Sequence, residues 1–266
     1  MTSQLLIIGC GNMGGAMLAG WLAAGLSPTR FAVLDPALES APEGVSLYRS
    51  PEEVPGTHDA VLLGFKPQQL GALAPGLQGV AGRGVSVHYL LAGLTLEQVS
   101  AALPNAKAWL RVMPNLAARI GKSPVILAQK GLRYEDREKA FALYDHLGTA
   151  VWLDSEERFD LLTALAGSGP GFVYRFIDAL AAAAERLGAG SEEAIALAKA
   201  MVDGASSLAA QADTAPGDLA ERVASPGGMT REGLNILDTD EALVKLLTET
   251  LDATARRGGE LSAATG

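Results

Sequence analysis

A glycine-rich turn between an apolar run and a helical stretch constrains this chain more than any other feature. Residues 5–8 form a short apolar run that suits a strand buried on both faces, and the sequence GCGNMG follows at positions 9–14. Residues 13–24 are typical of a helix that ends at a glycine. In this context a GxGxxG pattern binds a dinucleotide, because the backbone approaches the pyrophosphate at the positive helix N-terminus. We therefore expect the cofactor phosphates to contact Gly9, Gly11, Asn12, Met13 and Gly14.

Short β-rich runs alternate with helical stretches as far as about residue 153. After the first run they occupy residues 31–34, 45–48, 60–65, 84–89, 109–113, 124–128 and 150–153. Helical stretches such as 94–103 and 134–147 separate several of these runs. Such alternation predicts an α/β fold, with a doubly wound, mostly parallel sheet of the Rossmann type.

The pattern changes near residue 154, after which we find only Ala/Leu-rich helical segments. They cover residues 156–166, 172–187, 192–210, 217–223 and 241–256. We expect a dinucleotide-binding domain over residues 1–154 and an all-α domain over 155–266. Alanine-rich helices have little large apolar surface to bury, which favours packing against another subunit; a self-sufficient monomeric bundle is the alternative.

Composition excludes several classes of function. The net charge is −9, from 21 Lys and Arg against 30 Asp and Glu, so no nucleic-acid or membrane partner is expected. The single cysteine, Cys10, and three histidines far apart in sequence exclude a disulfide framework and predict no metal site. The first 29 residues carry no charge, but glycines interrupt them, so we predict neither a secretion signal nor a span. A cytoplasmic location is expected.

Three polar residues follow predicted strands, where ligands collect in a doubly wound sheet. Asp35 ends the second strand, at the position where an acidic residue binds the adenosine ribose hydroxyls and disfavours a 2′-phosphate, which favours NADH over NADPH. The pair Lys66-Pro67 and the residue Asn115 follow two other strands. The alternatives are an Asp-Pro turn at Asp35, a solvated lysine, and a simple turn residue.

Two more glycine-rich segments lie in the helical half, GSGPG at 167–171 and SPGGMT at 225–230. Interior glycine costs a helix roughly 1 kcal/mol and proline about 3, so close helix crossing or a ligand must offset the loss. Free backbone N–H groups and two hydroxyls in the second segment suit a small carboxylate. The alternative for each segment is an ordinary connection between helices.

The motifs IGCGNMG, TALAGSGPGFVY and SPGGMT together resemble those of the pyrroline-5-carboxylate reductases, over essentially the whole chain. The resemblance implies reduction of the cyclic imine Δ1-pyrroline-5-carboxylate to L-proline by NADPH or NADH. It also implies a homodimer, or a higher homo-oligomer, that pairs through the helical domains and completes each active site near the interface.

Site residues carry over by matching motif positions. The glycine turn matches the pyrophosphate loop, Lys66-Pro67 matches a pair near the nicotinamide, and Asn115 lies in the family's Met-Pro-Asn motif. The resemblance implies a catalytic hydroxyl at Thr230, close to the imine nitrogen. It also implies a substrate-binding set of Ser168, Ser225, Gly227, Gly228 and Thr230.

The chain departs from the family pattern in two places. It has Leu116-Ala117 where the family has Thr-Pro, and the bulky residues Tyr89 and Leu91 where the family has small ones. We expect both changes to add bulk on the cofactor side of the site. His88 is the one titratable side chain expected near it, with a structural histidine as the alternative.

Two rival functions remain open at this point. A β-hydroxyacid dehydrogenase has the same two-domain shape but uses a lysine of its helical domain, and here the helical half has only Lys199 and Lys245. Neither lysine follows a glycine-rich helix start. A non-catalytic NAD(H) sensor is the other rival, and the SPGG loop argues against it.

Overall fold

The computed structural model describes residues 4–56 and 58–264, with side chains as far as residue 260. Its first half contains an eight-stranded sheet in the order β3-β2-β1-β4-β5-β6-β7-β8. The strands are β1 (Leu5–Ile8), β2 (Phe31–Leu34), β3 (Ser46–Tyr48), β4 (Ala60–Leu63), β5 (Ser86–Tyr89), β6 (Ala108–Met113), β7 (Ser123–Lys130) and β8 (Gly148–Trp152).

Neighbouring strands run parallel throughout the sheet except at one place, where β6 pairs antiparallel with β7. The predicted doubly wound, mostly parallel sheet is therefore confirmed. Strand β1 lies between β2 and β4, with Leu5 opposite both Phe31 and Ala60. The carboxyl ends of β1 to β6 consequently share one edge, and this edge carries the candidate cofactor residues.

Alternate side chains of β1 enter two separate cores, which explains its unbroken apolar sequence. Leu5 and Ile7 join the core beneath α1 (Asn12–Ala23) and α4 (Tyr134–Asp145), in which Trp21 is fully buried. Leu6 and Ile8 join the core beneath α2 (Leu70–Leu77) and α3 (Leu96–Ala102). Both faces of the sheet are thus covered by helices, as parallel sheets require.

The sequence analysis did not single out α2, because Pro75 and two glycines fall inside it. Leu70, Ala74 and Leu77 nevertheless lie at helical spacing and are buried. Their packing on the sheet offsets the weak local propensity for helix.

Residues 156–168 pack with the sheet although they follow the change to helical structure. They form a 3₁₀ turn at Glu156–Arg158, α5 (Phe159–Leu162) and a π turn at Thr163–Gly167, where one helix was predicted over 156–166. Phe159 is fully buried in the second core. The first compact unit accordingly comprises the described residues up to Ser168 together with those from Ala253 onwards, and the second comprises 169–252. The two units thus divide after Ser168, whereas the last strand ends at Trp152.

The second unit is entirely helical. It contains α6 (Gly169–Arg186), α7 (Ser191–Gln211), α8 (Pro216–Val223), α9 (Met229–Asp238) and the first part of α10 (Ala242–Ala264). Its buried apolar residues are all alanines, at positions 181, 194, 198 and 224. Large apolar side chains stay exposed instead, among them Val173, Phe176, Leu208 and Ile236.

None of the described helices has both the length and the apolar character needed to cross a membrane. Within the same residues, no group of three or more His, Cys, Asp or Glu side chains is arranged to hold a metal ion.

Candidate active site

The glycine turn after β1 has the backbone geometry that its sequence predicts. Gly9 has a φ of +86°, and a Cβ there would lie 2.9 Å from the Phe65 nitrogen. A Cβ on Gly14 would lie 2.9 Å from the Gly9 oxygen, whereas Gly11 faces open space. Helix α1 starts directly after Gly11, with neither a side-chain cap nor an acidic residue in its first turn. Its N-terminus is therefore free to receive an anion.

The Asp35 side chain contacts the glycine turn. Its Oδ2 accepts a hydrogen bond from the Cys10 backbone N–H at 2.9 Å, and its Oδ1 accepts one from the Ala37 N–H at 2.9 Å. A carboxylate has about four acceptor positions, so both oxygens retain capacity for ribose hydroxyls. Burial and the Asp35 charge raise the pKa of the Cys10 thiol to about 11, so this cysteine stays protonated and unreactive.

Lys66 and Pro67 follow β4 at this edge of the sheet. The Lys66 backbone N–H donates to Gln69 Oε1 at 3.0 Å, and Pro67 begins a 3₁₀ turn. The Lys66 side chain is exposed and forms no ion pair with the residues that the structure describes. Its position suits a cofactor contact, which stays a prediction.

The side chain of Asn115 is committed to the protein itself. Its Oδ1 accepts from the Ala117 N–H at 2.9 Å, and its Nδ2 donates to the Ala166 oxygen at 2.9 Å. Asn115 is 5% exposed. It ties the end of β6 to the π turn before Ser168. Direct contact with the cofactor, as the sequence suggests, stays a prediction.

A cavity of about 480 Å³ lies within the first unit, beside the π turn. Ser168, which the sequence places in the substrate site, lines it together with Gly93, Met113 and Thr163. The Thr163 Oγ1 is buried with no hydrogen-bond partner among the described residues. Because π turns are frequent at functional sites and a buried unpaired hydroxyl is costly, the cavity suits a polar ligand.

Arg111 organises the wall of this cavity. Its guanidinium donates to Glu156 Oε1 and to Asp160 Oδ1, each at 2.9 Å, and lies 3.8 Å from the centre of the Phe159 ring. The Leu96 N–H donates to the same Glu156 carboxylate at 3.0 Å. The sequence analysis did not predict these partners of Arg111. One signal could have predicted them. The apolar run AWLRVM contains a single arginine, and two acidic residues spaced four positions apart, Glu156 and Asp160, follow later in the chain.

The SPGGMT segment forms an open helix start within the second unit. Gly227 has a φ of +70°, and the Gly228 N–H donates to the Ser225 oxygen at 2.9 Å. Gly228 is the N-cap of α9, which has no side-chain cap. Ser225 and Thr230 are exposed, and neither hydroxyl bonds to another described residue. The predicted carboxylate-binding arrangement of N–H groups and hydroxyls is therefore sterically available.

Comparison with known proteins decides the family. Residues 156–261 match the family described as pyrroline-5-carboxylate reductase dimerisation, and residues 4–86 match the one described as NADP oxidoreductase, coenzyme F420-dependent. The pyrroline-5-carboxylate reductase of Aquifex aeolicus is 31% identical over 266 residues, which cover 98% of each chain. The reductase of Pseudomonas aeruginosa is 29% identical, over 98% of this chain and 97% of its own. The chain belongs to the pyrroline-5-carboxylate reductase family.

A solved structure agrees with this assignment. The pyrroline-5-carboxylate reductase of Coxiella burnetii has a TM-score of 0.92 at 28% identity, over 98% of this chain and 99% of its own. The reductase of Plasmodium falciparum, solved with NADP bound, has a TM-score of 0.83 at 21% identity and supports the fold. The family match also places a dimerisation region in the helical half, and this makes the protein a homo-oligomer.

Of the two departures from the pyrroline-5-carboxylate reductase pattern, the one at Tyr89 and Leu91 does not crowd the site, and the bulk expected at Leu116 and Ala117 stays a prediction. Tyr89 and Leu91 are buried in the core of the first unit, and the Tyr89 hydroxyl donates to the Leu94 oxygen at 3.3 Å. Leu116 is 57% exposed. The expectation that Tyr89 and Leu91 add bulk to the site was therefore wrong, because their side chains fill the core.

His88 is buried and hydrogen-bonded within the first unit. Its Nδ1 is hydrogen-bonded to the Tyr144 hydroxyl at 2.8 Å, and the residue is 4% exposed. Burial, and secondarily the charge of Lys107, lower the pKa of His88 to about 3. Its burial and its hydrogen bond favour the structural alternative.

Proposed function

We propose that the protein reduces Δ1-pyrroline-5-carboxylate to L-proline, with NADH or NADPH as the hydride donor. The observation that carries this proposal is the family relationship over the full length of the chain. Both glycine loops that the chemistry requires are intact in sequence and open in geometry. Activity with the imine and a reduced nicotinamide tests the proposal directly.

The glycine turn fits the pyrophosphate of the cofactor. Side chains on Gly9 or Gly14 would collide with backbone, whereas Gly11 leaves space where the phosphates approach. The uncapped start of α1 provides N–H groups for the phosphate oxygens. When bound, the reduced nicotinamide supplies the hydride. Asp35 would hold the adenosine ribose, and Lys66 and Pro67 would lie towards the nicotinamide.

The loop before α9 is assigned to the substrate. The segment with Ser225, Gly227 and Gly228 would bind its carboxylate at the positive start of α9, through the Ser225 hydroxyl and the backbone N–H groups other than that of Gly228, which donates to the Ser225 oxygen. The Thr230 hydroxyl would hydrogen-bond the imine nitrogen. A protonated imine is already electrophilic, so the residues mainly orient it and exclude water. Ser168, which lines the cavity beside the π turn, is assigned to the substrate as well.

We propose that two copies pair through their helical halves. The buried apolar residues of the second unit are four alanines, while large apolar side chains remain exposed on its helices. An interface with a second copy would supply the missing core. Light scattering should therefore give a mass at least twice the chain's 27.4 kDa.

The double variant Val173→Glu, Phe176→Glu should shift this assembly towards monomer and lower activity, since two charges would enter the interface. The matched control is Glu192→Gln with Glu193→Gln, which changes charge at the start of α7 and should leave the mass unchanged. A wild-type protein that is monomeric at micromolar concentration would contradict the pairing.

We propose that NADH is preferred over NADPH. A 2′-phosphate beside Asp35 would face a carboxylate, and like charges about 4 Å apart repel by roughly 1 kcal/mol in water and about 4 at an effective dielectric of 20. The kcat/KM for NADPH should be at least several-fold lower, and Asp35→Ser should narrow or reverse the difference. Steady-state kinetics with both cofactors decide this. A wild-type preference for NADPH would show that Asp35 does not select the cofactor.

Two further expectations remain proposals. We propose that the dinucleotide-binding domain ends near residue 154, where the alternation of strands and helices stops, and limited proteolysis would test that boundary. We also propose a cytoplasmic location, which cell fractionation would test.

A further inference from the structure

The side chain of Arg49, the residue that follows β3, donates hydrogen bonds to three main-chain carbonyls of one loop. Its Nη1 donates to the oxygens of Asp35, at 3.0 Å, and Leu38, and its Nη2 donates to the Glu39 oxygen at 3.0 Å. These carbonyls belong to the β2–β3 loop (residues 35–45). The backbone N–H of Arg49 donates to Glu53 Oε2 at 2.8 Å, which fixes the start of its side chain.

The contacts of Arg49 lie where the adenosine end of the cofactor is expected. Strands β2 and β3 are parallel, and the Asp35 N–H donates to the Tyr48 oxygen at 3.1 Å. The Asp35 side chain accepts from Cys10, inside the glycine turn. At the carboxyl ends of the strands, the β2–β3 loop therefore contacts the guanidinium through its carbonyls and the glycine turn through the Asp35 side chain.

The negative charge of the β2–β3 loop makes Arg49 important for whether a 2′-phosphate can bind there. The β2–β3 loop contains Asp35, Glu39 and Glu43 and no lysine or arginine. A 2′-phosphate at the ribose would thus depend on Arg49 for a counter-charge. A guanidinium has five N–H donors, and the three bonds to the loop already use most of them in a planar arrangement.

We propose that Arg49 is a positioning residue that selects the cofactor. It fixes the β2–β3 loop so that the Asp35 carboxylate stays directed at the adenosine ribose. It cannot turn to a 2′-phosphate without releasing the loop carbonyls. This inference rests on the proposed use of a nicotinamide dinucleotide, and it assigns to Arg49 a part in the preference for NADH.

The test compares the affinities of Arg49→Ala, Arg49→Lys and wild type for NADH and NADPH by fluorescence titration of the full-length protein. In both variants the Kd for NADH should rise by about three- to tenfold, because an unfixed loop must be ordered on binding. The ratio of the Kd for NADPH to the Kd for NADH should fall, because the Asp35 carboxylate becomes free to turn away from the ribose. The Arg49→Lys variant should not restore the wild-type Kd values, because a single ammonium cannot reproduce the planar set of donors of a guanidinium.

A matched control and a kinetic readout separate positioning from general damage. Arg83→Ala removes an exposed arginine of the same unit and should leave both Kd values unchanged. With saturating NADH, the kcat of the Arg49 variants on pyrroline-5-carboxylate should stay within about twofold of wild type, since the lost contacts affect binding alone.

Two results would overturn the inference. If Arg49→Ala lost NADPH binding selectively while Arg49→Lys retained it, Arg49 would be a phosphate ligand. If both Kd values were unchanged, the loop contacts would have no part in selection. The titrations need no turnover, so a protein that binds NADH but leaves the imine unreduced would refute the proposed function and still test Arg49.

Discussion

Replacing Arg111 with methionine should lower the melting temperature of the protein by roughly 5–15 °C, at about 2–4 °C per kcal/mol for a unit of this size. The guanidinium is 3% exposed and holds two carboxylates, Glu156 and Asp160. Removing one partner of a buried ion pair costs about 3–5 kcal/mol, and partial exposure of these carboxylates reduces this to about 2–4. Differential scanning calorimetry measures the change.

Two further variants show whether the loss of stability comes from carboxylates that are left without a counter-charge. The triple variant Arg111→Met, Glu156→Gln, Asp160→Asn should recover much of the stability, because it leaves no uncompensated charge. Arg175→Met removes an arginine from the exposed pair with Asp178, and should change stability by less than about 0.5 kcal/mol. Equal losses for Arg111→Met and Arg175→Met would refute the structural importance of the Arg111 cluster.

Thr230→Ala should lower kcat/KM for pyrroline-5-carboxylate by about tenfold to a hundredfold, while the Kd for NADH stays unchanged. The physical reason is the loss of one hydrogen bond at the imine nitrogen, worth on the order of 1–3 kcal/mol. The cofactor is assigned to the glycine turn of the first unit, so its binding should not depend on this hydroxyl. Steady-state kinetics and a fluorescence titration give the two values.

Thr230→Ser keeps the hydroxyl and should retain most of the activity. Thr248→Ala is the matched control, since the Thr248 hydroxyl donates to the Val244 oxygen at 2.8 Å within α10. That variant should behave as wild type. Full activity of Thr230→Ala would exclude the assigned role.

Local patterns predicted most of the fold. The apolar run of β1, the glycine turn and the helix after it depend on neighbouring residues alone, and the structure has them within a residue of their predicted limits. Helix α2 was missed because Pro75 and its glycines oppose helix locally, whereas burial of Leu70, Ala74 and Leu77 against the sheet stabilises it. Tertiary packing of this kind leaves little trace in a short window of sequence.

The site was predictable where a backbone motif defines it and less so where side chains meet across the fold. The glycine turn and the SPGG loop carry their geometry in their own residues. The Asn115 amide bonds to Ala166, and Arg111 bonds to Glu156, at separations of 51 and 45 residues. The sequence placed His88 near the site, but only the packing of Tyr144 against it shows that it is buried.

The most direct test of the central claim is the reaction of purified protein with NADH and pyrroline-5-carboxylate, followed by the absorbance of the reduced cofactor and by chromatography of the product. The account predicts that NADH is consumed only when the imine is present, and that one L-proline forms for each NADH oxidised. If NADH bound tightly but was not consumed, the protein would be a sensor of the cofactor, and the account of a pyrroline-5-carboxylate reductase would be contradicted.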